Sequence, residues 1–170
     1  MEEIITSQLT EDFWKTTLPL DLATSSPTSP SLYAYYASQY ILGVNGLFSK
    51  LLVSDLLQEG LRSKKSALER HHLFPKAWLK KNGVEDKTQQ NQIANYALVE
   101  WSDNIEISDK HPSEYLQQYV NRFSEEEIEA MYWNHALPQG WENMEYHDFL
   151  FARRKLIADV IKEAYMKICS

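Results

Sequence analysis

The side chains able to do chemistry gather in the middle of the chain. His71 and His72 stand together in Ala67-Leu68-Glu69-Arg70-His71-His72-Leu73-Phe74, which reads as a short strand entering a turn at Pro75. Asn95 and Asn104 follow, around a second β-rich run within Ile93–Trp101. An imidazole with an unperturbed pKa near ~6.5 is a natural proton acceptor at neutral pH. Imidazole nitrogens and amide oxygens can also bind a divalent cation. The pair has a plainer reading too: successive strand residues face opposite sides, so one ring would be core and the other surface. Asn104, in Ser102-Asp103-Asn104, likewise reads as a turn residue. His111 reads either as a further ligand or as the lead-in to a helix, and His135 and His147 as structural.

Charge singles out the same region. Seventeen Lys and Arg against twenty-four Asp and Glu give a net charge of -7, and a uniform surface of that sign repels nucleic acid. From Arg62 to Lys87, however, eight basic residues meet only three acidic ones. A basic stripe in an acidic protein suits one face that meets a polyanion; the alternative is a solvated lysine-rich loop. Lys76, Lys80 and Lys81, directly after the histidine pair, and Arg70 before it are the candidate phosphate contacts. Arg153 and Arg154 read as further phosphate contacts or as braces for Glu125-Glu126-Glu127. Trp78 reads as packing under the loop or, alternatively, as a stacking partner for a base.

The elements that must position these residues are mostly helical. A helical turn is expected near Leu9–Lys15, then a connector at Ser25-Ser26-Pro27-Thr28-Ser29-Pro30, where two prolines forbid a continuous helix. Leu32, Tyr35, Tyr36, Tyr40 and Val44 recur at helical spacing, Gly43 and Gly46 break the pattern, and a second helix is expected from about Leu47 to Leu57. These form an N-terminal helical hairpin. The segment between the two strands, with Asn82-Gly83 and Lys87-Thr88-Gln89-Gln90-Asn91, reads as a polar loop. A helix capped by Ser113 should bury Tyr115, Leu116 and Tyr119. Ser124-Glu125-Glu126-Glu127 is a capping-box sequence opening a helix to about Trp133. A last helix spans about Glu145 to Ile168, with Phe149, Leu156, Val160, Ala164 and Ile168 apolar. The expected fold class is α+β and mostly helical. Residues 1–30 are the extension and connector, and 31–170 one domain around a ββα core at about 66–122.

Several of these runs carry a resemblance. His71-His72-Leu73-Phe74-Pro75, Asn95 and Asn104 resemble the HNH motif of the His-Me finger (ββα-metal) nucleases. Leu68–Lys76, Asn91–Tyr96, Asn104–Lys110 with Pro112–Leu116, the tail Phe149–Ala158 and the lead-in Ser25–Leu32 resemble, more narrowly, the C-terminal nuclease domain of GmrSD-type modification-dependent restriction enzymes. The resemblance implies a DNA endonuclease of a restriction, antiviral defence system. His72 would be the general base, its ring oriented by a backbone carbonyl. His71 and Asn104 would hold one divalent cation, and Asn95 would tie the loop that holds His72. Such an open site suits Mg²⁺ or Mn²⁺, with Ni²⁺ or Zn²⁺ as adventitious occupants. Relatives often carry Asp or Glu where His71 stands, and the missing negative charge favours Mn²⁺ here.

The same resemblance implies a nucleotide-hydrolysing lobe elsewhere in the chain or on a partner subunit. With five glycines and no phosphate-cradling loop, these 170 residues lack one, so they read as an excised domain or a stand-alone relative. An RNA-directed or toxin-like nuclease, or a non-catalytic nucleic-acid-binding or scaffold module, would keep the same residues. A single cysteine, Cys169, precludes an internal disulfide and four-thiolate zinc. No run approaches the ~20 apolar residues of a membrane span, and the opening Met1-Glu2-Glu3-Ile4 is acidic where a secretory signal is basic. A cytoplasmic protein with no membrane partner is expected.

Overall fold

The computed structural model describes residues 7–57, 68–100, 107 and 109–170. Asn104, Arg62, Lys64 and Lys65 lie outside them. The chain is mostly helical, with one small antiparallel sheet of two strands among the described residues.

A π-helical turn at Phe13–Thr17 leads into α1 (Leu18–Asp21). Trp14, Leu18 and Leu22 are buried in the same core as the rest of the chain. Pro30 opens α2 (Pro30–Leu42), where its missing N–H costs nothing, and Gly43 closes it in the left-handed conformation (φ 69°). Leu32, Tyr35, Ser38 and Gln39 form the buried stripe, whereas Tyr40, expected inward, is 57% exposed.

The expected helix from Leu47 shortens to α3 (Val53–Leu57). The residues before it form a tight loop instead: Gly46 N–H donates to Leu51 O at 2.9 Å and Val53 N–H to Val44 O at 2.8 Å. Leu47 N–H donates to Leu98 O at 2.8 Å, docking the loop on the sheet edge. Phe48 sits at φ 63°, an uncommon place for a bulky side chain. Its ring stacks on Tyr119 at 4.7 Å, which offsets the backbone strain.

Strand β1 (Leu68–His72) pairs with β2 (Tyr96–Glu100), placing Arg70 opposite Leu98, His71 opposite Ala97 and His72 opposite Tyr96. The connection between them, expected from its polarity to be loop throughout, is partly helical. It carries α4 (Lys76–Lys81), α5 (Lys87–Gln90) and a 3₁₀ turn at Ile93–Asn95. Asp86 is the missed signal: its carboxylate accepts from Thr88 N–H and caps α5.

Helix α6 (Pro112–Val120) is capped by His111, not Ser113. Pro112 occupies the first helical position, so the cap falls on the residue before it. Helix α7 (Glu125–Asn134) has the full capping box between Ser124 and Glu127. Helix α8 (Tyr146–Cys169) is the centre of the fold, burying Phe149, Leu150, Arg153, Ile157, Val160, Ile161 and Ala164 along one stripe. Of the apolar positions expected there, Leu156 is half-buried and Ile168 is exposed near the helix end.

Two buried polar residues lock the helices together. Arg153, fully buried, donates from Nη1 to Ala94 O at 2.7 Å and from Nε and Nη2 to His135 O at 3.2 and 3.0 Å. His135 donates from Nε2 to Asn45 O at 2.9 Å, leaving Nδ1 to accept from Gln39 Nε2 at 3.4 Å. Arg153→Met would leave both carbonyls unpaired in the core. The expected loss is about 2–5 kcal/mol of unfolding free energy, measured in urea. Burial, with the Arg153 charge beside it, holds the folded pKa of His135 at about 4, against an ordinary value of 6.5. The unfolded chain therefore takes up the extra proton first, and stability falls as pH drops from about 6.5 toward 4. His135→Gln is expected to flatten that decline by a few kcal/mol (~3) in unfolding curves taken across this range.

Candidate functional site

Pleating decides where the two histidines go. His71 turns inward: it is 3% exposed, and its ring meets Tyr115 edge-on at 6.1 Å. His72 leaves β1 on the other side, half-buried, tilted against Tyr96 at 4.5 Å. Arg70, two residues earlier, shares the His72 side, and its guanidinium lies 5.6 Å from the centre of the Tyr96 ring.

The orienting partner of His72 is a side chain, not a backbone carbonyl. Its Nε2 lies 3.1 Å from Asn91 Oδ1, and Tyr96 OH donates to the same oxygen at 3.1 Å. An oxygen accepting from both sides requires the proton on Nε2, which leaves the lone pair on Nδ1. Among the described residues Nδ1 has no hydrogen-bond partner. Burial lowers the His72 pKa to about 4; the Asn91 bond opposes this, and Lys76, His71 and Arg70 nearby add to it. The ring is therefore neutral at neutral pH. A phosphate arriving beside it would favour the protonated form and make it a stronger base.

Asn95 is fully buried and clamps the chain just after His72. Its Oδ1 accepts from Phe74 N–H at 2.8 Å, and its Nδ2 donates to Phe74 O at 3.0 Å and Gln90 O at 3.2 Å. Its own carbonyl accepts from Leu73 N–H at 2.8 Å, and Tyr115 OH donates to Leu73 O at 2.9 Å.

Of the expected cation ligands, His71 is described and Asn104 is not. The described residues contain no group of three or more His, Cys, Asp or Glu able to hold a metal ion. His71, buried on the inner face of β1 against Tyr115, points away from His72, so the structure does not bring the expected ligand and the expected base into one site. His111 is engaged at a helix start instead. Its Nδ1 lies 2.8 Å from Ser113 Oγ at the beginning of α6, and its ring packs against Trp78 at 4.6 Å. Trp78 also packs on Phe74, under the loop.

The cationic candidates separate as well. Arg153 is a buried brace for backbone carbonyls and meets neither phosphate nor the acidic run. Arg154 donates to Gln92 Oε1 at 2.9 Å and is half-buried. Lys80 and Lys81 are exposed at the end of α4, where they suit the helix dipole, and Lys81 lies 3.6 Å from Asp109. Arg70 and Lys76 line a cleft of about 220 Å³ together with Asn91 and Tyr96. A larger cavity, about 490 Å³, lies between α7 and α8 behind Glu125 and Glu129, a rim that repels a polyanion.

Asn91 and Tyr96 were not legible as site residues. Both fall in the Asn91–Tyr96 run, but nothing in their spacing says that they meet His72, nineteen positions before Asn91. Comparison of the chain with protein-family models, with curated proteins and with solved structures finds no match. The His72 ring is expected to titrate near pH 4 as its Nε2–H tautomer, seen in histidine ring ¹⁵N shifts. Asn91→Asp should raise that midpoint by about one unit or more, because a carboxylate favours the imidazolium.

Proposed function

We propose that this chain is an HNH-type endonuclease domain that hydrolyses phosphodiester bonds in DNA, as the C-terminal part of a modification-dependent restriction system. The observation that supports it best is His72: a neutral imidazole with its lone pair free, aligned by Asn91 beside two cations.

In this reading His72 Nδ1 takes a proton from water as that water attacks phosphorus, and the 3′ oxygen leaves with a proton from solvent. Asn91 holds the ring and its tautomer, and Asn95 holds the backbone that follows it. Lys76 and Arg70 attract and orient the strand. A divalent cation, Mg²⁺ or Mn²⁺, would supply Lewis-acid stabilisation of the phosphoryl oxygens; of its expected ligands, His71 faces the core on the side of β1 opposite His72, and Asn104 lies outside the described residues. Recognition of a modified base, and any control by nucleotide hydrolysis, would belong to a partner lobe.

The reading is tested by plasmid cleavage in Mn²⁺ and in Mg²⁺, with modified DNA, unmodified DNA and RNA side by side. The wild type is expected to cut DNA, faster in Mn²⁺, and His72→Ala to lose ~10²-fold or more of that rate. Cleavage of RNA alone would transfer the site to an RNA-directed nuclease. Binding with no cut in either ion would leave a non-catalytic binding module.

A further inference from the structure

We infer that the cleft between the Ser25-Ser26-Pro27 connector and the β-hairpin is a phosphate-binding subsite, which seats a backbone phosphate next to the one that His72 addresses. The anion site stands on its own geometry; that its occupant is a nucleic-acid phosphate rests on the nuclease reading above.

The charge of the cleft is out of keeping with the molecule. In a chain of net charge -7, its lining holds Arg70 and Lys76 and no carboxylate. Four lysines have acidic partners, Lys50 with Glu127 at 3.6 Å, Lys81 with Asp109 at 3.6 Å, and Lys15 and Lys162 with Glu11 at 3.3 and 2.5 Å, whereas Lys80, Lys87 and Lys155 have none among the described residues. Among the described residues neither Arg70 nor Lys76 has one. Arg70 is instead steadied against the Tyr96 ring, which leaves its fork of donors available to an anion.

The connector is built as a wall. Its approach is pinned where Ile93 N–H donates to Thr24 O at 2.9 Å, and Ser26 N–H turns back to Thr24 Oγ1 at 3.1 Å. Ser25 and Ser26 are half-buried against the cleft, so their hydroxyls can complete the shell around an anion whose charge the two cations neutralise. At about 220 Å³ the space suits a phosphate with its sugar and not a base pair. Asn91 and Tyr96, which align His72, also line the cleft, so a phosphate seated here lies beside the reactive one.

The full chain would be titrated in EDTA with fluorescein-labelled DNA of about 20 base pairs at several salt concentrations. Compared with wild type, Arg70→Gln/Lys76→Gln should bind about tenfold more weakly and lower the salt slope by about 0.9, the value for one phosphate no longer neutralised. Ser25→Ala/Ser26→Ala should weaken binding severalfold. Lys15→Gln/Lys155→Gln makes an equal charge change at residues outside the cleft lining and should alter binding little. Thymidine 3′,5′-bisphosphate, followed by NMR, should shift the Ser25 and Ser26 amides at concentrations at least tenfold below inorganic phosphate.

A cleft variant with wild-type folding, affinity and salt slope would overturn the inference. So would a loss no larger than that of the control pair, or Ser25 and Ser26 amides unmoved by the bisphosphate. Cleavage that depends on His72 but not on the cleft would remove the subsite and keep the nuclease. Bisphosphate binding that depends on Arg70 and Lys76, in a protein that cuts nothing, would keep the anion site and remove the nuclease.

Discussion

A guanidinium sealed in the core must find acceptors, and much of this molecule is arranged around the ones that Arg153 finds. Its hydrogen bonds reach the carbonyls of Ala94 and His135, which belong to segments far apart in sequence. Desolvation lowers the Arg153 pKa, but a guanidinium stays charged, so the cost of burying it is offset only if those carbonyls stay in place. One helix, α8, thereby fixes the end of α7 and the turn that enters β2. Ala94 precedes Asn95, Asn95 grips Phe74, and Phe74 lies two residues beyond His72. The position of the candidate base is thus inherited, link by link, from a side chain that never approaches the surface.

The strand carrying the histidines presents two different environments on its two faces. On the inner face, His71 lies in an aromatic wall with Tyr115, whose hydroxyl also holds Leu73 O. On the outer face, Arg70 and His72 share the Tyr96 ring, and Asn91 closes the arrangement. The same pleat gives one ring a dry, packed setting and the other a half-open one. Basic charge beside the half-open ring helps burial keep it neutral, and no carboxylate lines the cleft next to it.

The remaining histidines show how little residue type says about role. His135 is buried and bonded at both nitrogens, a joint between α2, the loop at Asn45 and α7. His111 caps α6 because Pro112 takes the first helical position. Each is a polar side chain placed where a backbone group needs a partner, a structural demand that ligand spacing does not reveal.

Local rules were legible where a residue acts on its own neighbours. Ser124 and Glu127 form the capping box, Gly43 closes α2, and the strand pattern placed β1 and β2 within a few residues; Pro30, read as part of a connector, instead opens α2. The α+β, mostly helical class follows from such signals. They failed where a distant group intervened. The run after Gly46 has helical spacing, yet Leu47 N–H is taken by Leu98 O and the helix waits until Val53. The candidate site divides in the same way. The sequence by itself marked His71, His72, Asn95 and a basic stretch as worth attention, because type and spacing are local properties. Only the tertiary structure decided that the two rings face opposite ways, that Asn91 and Tyr96 align His72, that Arg153 is a brace, and that a serine connector faces Arg70 and Lys76. Those facts depend on which segments meet, and contacts between segments are set by the packing of the whole core around α8.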